Sequence, residues 1–394
     1  RPMPKNKRPV PRKSSTPAEP DTDALAQALA DLALEIAEAE EAQPAVLAAR
    51  ENELNTQVRK ALRRKHDEVL YGAIELARYT DPAACRYLRA RVEEEAATLR
   101  VRREGAPEFE IDAFLVPLFV QSAGGLVEAE AFADDDAFDA LSASLRQAGL
   151  DSADAKVVLI RHAYDLDAID RIAFSTLHEM LREAAASLTD KKLPPAPTLA
   201  ASMRPWSERA FGPDDTAMEL RFLLGFSLKR ADDPFYQVPA AEAAADAYFA
   251  ARMERYRAWT VAAAPLLARS LASAPDRLAL NFLYQDLFYG AKEQGVAELA
   301  LLATLGEVNE ALSGRAPESV RALVAPLDGG EQIVLRVNLY QGDAATPFAG
   351  IDKPVDLAAD LSAEVDDLCD ALGSLTLAAV DVAEGFGPDG TPVQ

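Results

Sequence analysis

The sequence has few of the side chains that carry catalysis and metal binding. Its 394 residues include two cysteines, Cys85 and Cys369, and three histidines. Two thiols so far apart in sequence indicate neither a disulfide framework nor a zinc site. Three histidines cannot form a histidine-rich metal centre, and they disfavour a histidine-dependent catalyst. We therefore predict no catalytic residue, no metal and no cofactor.

Several other features that would define a function class are missing. The motifs G-x-S-x-G, G-x-x-x-x-G-K-[ST] and H-E-x-x-H, which activate a serine, cradle phosphates or hold zinc, do not occur. No apolar run approaches the roughly 18–20 residues that a membrane span needs. No apolar segment with a small-residue cleavage site opens the chain, so we expect no secretory signal peptide and a cytoplasmic location.

Charge is the strongest compositional signal. There are 64 Asp and Glu residues against 41 Lys and Arg residues, which gives a formal net charge of −23. Residues 1–20 reverse this balance, with six basic side chains against Glu19 alone. Because an acidic body repels phosphate backbones at long range, most of the surface is unsuited to nucleic acid. The basic segment is the exception.

The first hundred residues divide into a tail and a helical segment. Residues 1–20 are rich in proline and basic residues without apolar periodicity, which predicts a disordered basic tail. Residues 21–104 are predicted to be helical. Leu25, Leu29 and Leu32 form a stripe at helical spacing, and Asp81 followed by proline is a strong helix start.

Strands and helices alternate in the remaining chain. We predict a first αβ unit at 105–189, a linker at 190–217, a second αβ unit at 218–385 and a flexible tail at 386–394. Strand, helix, strand, helix occurs twice in this order. We therefore predict an α+β fold with an internal duplication and a ferredoxin-like arrangement, although any α/β chain produces some such alternation.

One group of residues resembles a catalytic or metal site. His162, Asp165, Asp167 and Asp170 lie at the end of a predicted strand and in the loop after it. Three carboxylates there would suit a hard cation such as magnesium, with His162 as a base, and this hypothesis describes a metal-dependent hydrolase. The alternative is that these aspartates cap and terminate local structure, which is a common role for aspartate.

The predicted partner-binding residues are all basic. One set lies in the tail, and the other lies on a helix as five basic residues in seven positions. The helical set is either a solvated surface or a patch that binds an anion or a second subunit. The ten residues are Lys5, Lys7, Arg8, Arg12, Lys13, Arg59, Lys60, Arg63, Arg64 and Lys65.

The order of segments resembles that of an uncharacterised beta-proteobacterial family of unknown function. The resemblance is carried by the apolar run at 111–120, the segment RHAYDLDAID at 161–170, the strand at 220–228 and the closing helix–strand unit. It covers residues 65–385. It implies a bacterial, cytoplasmic protein of about this length, and it transfers no catalytic residue.

Together these patterns favour a non-catalytic scaffold or interaction protein. Its partner would be a protein or a second copy of the chain, because the basic N-terminal region complements the acidic body. The alternative is a nucleic-acid-associated regulator that uses the tail and the basic helix. The metal-dependent hydrolase is the third hypothesis. We predict no membrane partner.

Overall fold

The computed structural model describes residues 21–39, 43–102, 104–123, 126–189, 218–284, 287–328, 333–356, 358–387 and 391–393. The predicted basic tail and the predicted linker lie outside these ranges. Among the helices in the described part of the chain, none is long and apolar enough to cross a membrane.

A bundle of four helices forms the N-terminal segment, which confirms that it is helical, although the last helix ends at Ala97 and a strand replaces it before residue 104. The helices are α1 (Thr22–Ala37), α2 (Pro44–Arg64), α3 (Asp67–Thr80) and α4 (Pro82–Ala97). The Asp81 carboxylate accepts hydrogen bonds from the backbone N–H groups of Ala83 and Ala84, so it caps α4 as its position before proline predicts. The apolar stripes of the four helices meet in one buried core.

Five antiparallel strands form the first sheet. They are β1 (Thr98–Val101), β2 (Phe109–Ser122), β3 (Lys156–Tyr164), β4 (Glu219–Arg230) and β5 (Leu278–Phe282). β4 lies between β2 and β3, while β1 and β5 share the opposite edge of β2. The pairing of β2 with β4 runs from Phe109 opposite Arg230 to Val120 opposite Glu219.

The strand pairing corrects the predicted division into units. The α+β class is confirmed, but β4 and β5 come from the predicted second unit and lie in the same sheet as β2 and β3 of the first. The segment 190–217 therefore does not separate two sheets. The prediction was wrong because strand order along the chain does not specify which strands pair.

Helices cover both faces of this sheet. They are α5 (Asp135–Gln147), α6 (Leu166–Asp170), α7 (Phe174–Thr189), α8 (Glu242–Leu271) and α9 (Phe288–Ala311). α6, α7 and the start of α9 pack on the face that carries Ile111 and Phe222. α5 and α8 pack on the opposite face around Val116, Leu223 and Trp259. The result is three layers with the sheet in the middle.

A second, smaller sheet follows α9. Its elements are β6 (Val320–Asp328), β7 (Ile333–Gln341), β8 (Ala349–Val355), α10 (Leu361–Gly373) and β9 (Ala379–Val382), and a short pair, β10 (Gly385–Phe386) with β11 (Pro392–Val393), ends the chain. The strand order is β8-β7-β6-β9, and β9 runs parallel to β6. A three-strand meander followed by one helical crossover differs from the predicted ferredoxin-like β-α-β-β-α-β order.

Pro117 lies inside β2, where a missing N–H group would weaken the sheet if a neighbouring strand needed it. Its carbonyl oxygen accepts a hydrogen bond from the Leu283 N–H group, on the edge shared by β1 and β5. The N–H and C=O groups of one residue point to the same side of a strand, so the missing donor also faces that edge. The edge is interrupted there, because β1 pairs only as far as Asp112 and β5 begins opposite Ser122 and ends opposite Leu118.

Gly225 is a position on β4 where the absence of a side chain leaves room for an aromatic ring of β2. It lies opposite Phe114, and a Cβ atom at Gly225 would be 2.2 Å from Phe114 Cζ. The Phe114 ring therefore lies over the bare backbone of β4.

Replacing Gly225→Ala should lower the free energy of unfolding by about 1–3 kcal/mol, because the added methyl group must displace a packed ring. Gly306→Ala is the matched control: it lies within α9 with no atom near its Cβ position, and should raise stability by up to about 1 kcal/mol. Urea unfolding followed by circular dichroism measures both, and equal effects would contradict the close packing.

Candidate binding site

A cavity of about 560 Å³ opens between the first sheet and the helices around it. Strands β2 and β4 form its floor. The middle of α8, the last turns of α4 and the first turn of α9 form its walls. We call it the Lys229 cavity, after the lysine on its floor.

The lining of the Lys229 cavity combines acidic and aromatic side chains. The carboxylates are Glu93, Glu94, Glu110, Asp112 and Asp151, and the cations are Lys229 and Arg252. The aromatic residues are Phe114, Tyr236, Tyr248, Phe249, Tyr256, Phe288 and Tyr289. Among the described residues that line it there is neither histidine nor cysteine.

Strand alternation explains why charges gather on the floor. Successive side chains of a strand point to opposite faces, so Glu110, Asp112 and Phe114 share the face that α8 covers. In register, Lys229 lies opposite Glu110 and Ser227 lies opposite Asp112. Sequence reasoning missed these residues. The signal was present as acidic residues that alternate with apolar ones at the start of β2, but the lysine partner could not be assigned without the pairing.

Lys229 is held among carboxylates. Its Nζ atom lies 2.5 Å from Asp112 Oδ2 and 3.7 Å from Glu110 Oε1, and 17% of its side chain is exposed. It also lies over the Tyr236 ring, 4.3 Å from the centroid. Burial lowers the pKa of Lys229, but attraction to Asp112, Glu110 and Asp151 outweighs it, so the pKa is above its ordinary value. Lys229 therefore stays charged.

Asp151 is the second polar centre of the cavity. Its Oδ1 atom accepts hydrogen bonds from Ser227 Oγ at 2.8 Å and from the Tyr236 hydroxyl at 3.0 Å. The Tyr236 hydroxyl in turn accepts a hydrogen bond from the Ser152 N–H group. Burial and the Asp151 charge raise the pKa of Tyr236, so it remains a neutral donor.

The mouth of the cavity is mostly apolar, and the carboxylate of Glu94 is also exposed there. Val238, Phe249 and Leu287 line it, and 47%, 54% and 66% of their respective surfaces are exposed. Exposed large apolar residues that gather at an opening, rather than singly, mark a binding surface. A ligand that fits this site would therefore have an apolar part at the mouth and a polar part near Asp112 and Asp151.

The structure accounts for part of the predicted basic patch on α2. Arg59 forms a bidentate pair with Glu95 at 2.6 Å, and Lys65 pairs with Glu179 at 2.8 Å. Lys60, Arg63 and Arg64 are exposed on the same helix. The tail residues Lys5, Lys7, Arg8, Arg12 and Lys13 lie outside the described residues. Binding by any of the ten stays a prediction.

The predicted hydrolase residues have separate structural roles. The Asp165 carboxylate accepts a hydrogen bond from the Ala168 N–H group and caps α6, and Asp170 pairs with Lys292 at 2.8 Å. Asp167 lies in the first turn of α6, where a negative charge is favoured. In the described part of the chain no three His, Cys, Asp or Glu side chains are grouped to hold a metal ion.

His162 is partly buried next to the irregular pairing of β3 with β4. Its ring packs edge-on against Tyr164, with centroids 4.4 Å apart, and its buried Nε2 atom has no hydrogen-bond partner among the described residues. Burial and the nearby Arg221 charge lower the pKa of His162 to about 4. It is therefore neutral at pH 7.

The chain was compared with known protein families, with curated proteins and with solved structures, and none of them matches. The resemblance to the beta-proteobacterial family therefore stays a prediction.

Lys229→Met should lower the free energy of unfolding by about 2–3 kcal/mol, because Asp112 and Glu110 lose the charge that compensates them. Lys292→Met is the matched control, since its pair with Asp170 is more exposed and should contribute less than about 1 kcal/mol. Urea unfolding measures both, and equal losses would show that the Lys229 pairs are no more important than surface pairs.

His162 should make stability depend on pH. Between pH 6.5 and 4 the unfolded chain binds a proton at His162 that the folded chain does not, so the free energy of unfolding falls as the pH falls through this window. Protonation of His162 in the unfolded chain should lower the free energy of unfolding by about 2–3 kcal/mol between pH 7 and pH 4. His162→Phe should remove it, and chemical unfolding from pH 7 to pH 4 measures the difference. Parallel curves for the two proteins would contradict the lowered pKa.

Proposed function

We propose that this chain is a non-catalytic interaction protein that binds a cationic, partly apolar segment of a partner in the Lys229 cavity. The observation that carries the proposal is the combination of an apolar mouth with an acidic, aromatic interior. Aromatic faces and carboxylates together bind arginine and lysine side chains, through cation–π contacts and charge-assisted hydrogen bonds.

The charges in the cavity favour a cation over an anion. Asp112 and Glu110 share the charge of Lys229, and Glu93, Glu94 and Glu110 also pair with Arg89, Arg91 and Arg100, which lie outside the lining. The preference for a cation depends on Asp151, whose carboxylate accepts hydrogen bonds from the neutral hydroxyls of Ser227 and Tyr236. The first turn of α9 also lines the cavity, and a helix N-terminus contributes about half a positive charge. That contribution is smaller than the full negative charge of Asp151.

The lining also supports a binding role over a catalytic one. Ser227 donates to Asp151, but a serine nucleophile needs a base such as histidine, and the lining described here has none. Lys229 is held in its charged form, so it is not a nucleophile.

A cytoplasmic location belongs to the same proposal. It is supported by two cysteines that are both free, one buried and one half-buried.

The test is a titration of the full chain with an amidated hexapeptide of alternating phenylalanine and arginine. The matched ligand has citrulline in place of arginine, which keeps the shape and removes the charge. We expect calorimetry at low salt to detect binding of the arginine peptide, and binding of the citrulline peptide to be at least about tenfold weaker. Equal affinity for the two peptides would refute recognition of charge.

The variant Asp151→Asn tests whether the arginine peptide binds in the Lys229 cavity. The asparagine oxygen can still accept the hydrogen bonds from Ser227 and Tyr236, so the substitution removes a charge and keeps the geometry. We expect about fivefold weaker binding of the arginine peptide. Asp381→Asn, an exposed position on β9, makes the same change in net charge outside the cavity and should leave the affinity unchanged. If both variants lose affinity equally, the peptide binds the acidic surface in general.

A further inference from the structure

We propose that the partner's segment has two parts: its cationic part binds in the Lys229 cavity, and an acidic stretch next to it binds a basic surface that α2 and α7 form beside the cavity. We call this surface the α2–α7 patch, and it consists of Lys60, Arg63, Arg64 and Arg182. The inference rests on the proposed function, because it names a second recognition element of the same partner.

The α2–α7 patch joins cations from two helices. Lys60, Arg63 and Arg64 have the i, i+3, i+4 spacing that places side chains on one face of α2, and all three are exposed. Arg182 is exposed on α7. Burial lowers the pKa of His178, and the charges of Arg182 and Arg63 lower it further, so both guanidinium groups lie within electrostatic reach of one ring. The tertiary structure therefore adds a cation that is distant from α2 along the chain.

Neighbouring carboxylates do not neutralise the patch. Arg59 pairs with Glu95 at 2.6 Å, which leaves this carboxylate satisfied. Lys65 pairs with Glu179 at 2.8 Å in the same way. In the described part of the chain none of the four patch cations forms an ion pair. Two exposed carboxylates follow patch residues closely in sequence, so the cations remain in excess. These carboxylates are Glu68 and Glu183.

The patch borders the mouth of the Lys229 cavity. Glu94 is exposed at the mouth, and the next residue, Glu95, forms the bidentate pair with Arg59 of α2. Arg63 lies one turn beyond Arg59, about 6 Å along the helix axis. Because the axes of packed helices are about 10 Å apart, the patch begins within about 20 Å of the mouth. About six residues of an extended chain span this distance.

The patch fits carboxylates on a short segment better than a long polyanion. A guanidinium group binds a carboxylate through two parallel hydrogen bonds, and Arg59 binds Glu95 in this way on the same helix. The chain as a whole has a formal net charge of −23. A nucleic acid that runs beyond the patch is therefore repelled by the acidic surface around it. A short acidic stretch that ends at the patch avoids this repulsion.

The covalent link to the cationic part makes the patch effective. One exposed ion pair raises affinity by no more than about fivefold, so the patch alone would hold an acidic peptide weakly. A stretch joined to a segment that already occupies the cavity binds at an effective concentration in the millimolar range. We therefore expect the acidic stretch to strengthen the binding of the cationic part.

The first experiment lengthens the phenylalanine–arginine hexapeptide. A glycine–serine linker of about six residues joins it to four glutamates, and the matched peptide carries four glutamines instead. Each extension is placed at either end, so that both chain directions are tested. For one direction, we expect calorimetry of the full chain at low salt to show at least about threefold tighter binding of the glutamate peptide than of the glutamine peptide. The gain should shrink at high salt.

Two double variants locate the gain. The variant Arg63→Gln, Arg182→Gln removes one cation from each helix of the patch. The matched control Arg171→Gln, Arg315→Gln removes two exposed arginines elsewhere and makes the same change in net charge. We expect the patch variant to lose most of the gain and the control to keep it. Both should bind the unextended hexapeptide as the unmodified chain does, which shows that the cavity is intact.

The outcomes separate this proposal from the proposed function. Equal binding of the glutamate and glutamine peptides to the unmodified chain, or an equal gain in both double variants, would overturn the proposal while the hexapeptide still binds. If no peptide binds, the proposed function fails and this proposal fails with it. Binding of a short single-stranded oligouridine that is lost in Arg63→Gln, Arg182→Gln, without a gain from glutamate, would assign the patch to phosphate groups instead.

Discussion

The pairing of β2 with β4 is the contact on which the rest of this structure depends. It joins residues 109–120 to 219–230 and places β4 in the middle of the first sheet. Both faces of this pair are buried under helices, so its apolar side chains supply core residues to two layers at once. Without it, α7 and α8 would each lose the sheet surface on which they bury part of their apolar side.

The same pairing builds the candidate site. On the face of β2 and β4 that α8 covers, Val116 and Leu223 are followed by Phe114 and Gly225, then by the polar Asp112 and Ser227, and then by the charged Glu110 and Lys229. If no helices covered the sheet, the polar end of this face would be exposed to solvent. Here α4, α8 and α9 enclose it, which brings Lys229 and its carboxylates into a partly desolvated cavity where their interactions are stronger than in water.

Local signals in the sequence were reliable for helices and unreliable for strand partners. The cap at Asp81 and the stripe of α1 were both predicted, because neighbouring residues determine each of them. The division at 190–217 was wrong, and the hydrolase hypothesis chose residues that cap α6 or pair with Lys292. The sequence also contains the motif G-x-G-x-x-G at 385–390. In a dinucleotide-binding site this motif lies between a strand and a helix. Here its first two residues form the short strand β10, which follows β9 and pairs with β11.

The sequence by itself determined where helices begin, which residues are apolar on each strand, and that negative charge dominates everything after the first twenty residues. These properties depend on intervals of a few residues or on composition. The tertiary structure alone decided that Lys229 lies between Glu110 and Asp112 and that Asp151 meets Tyr236. These contacts join segments that are distant along the chain, and only the packing of the sheet against its helices selects them from the many pairings that the same pattern of residues allows.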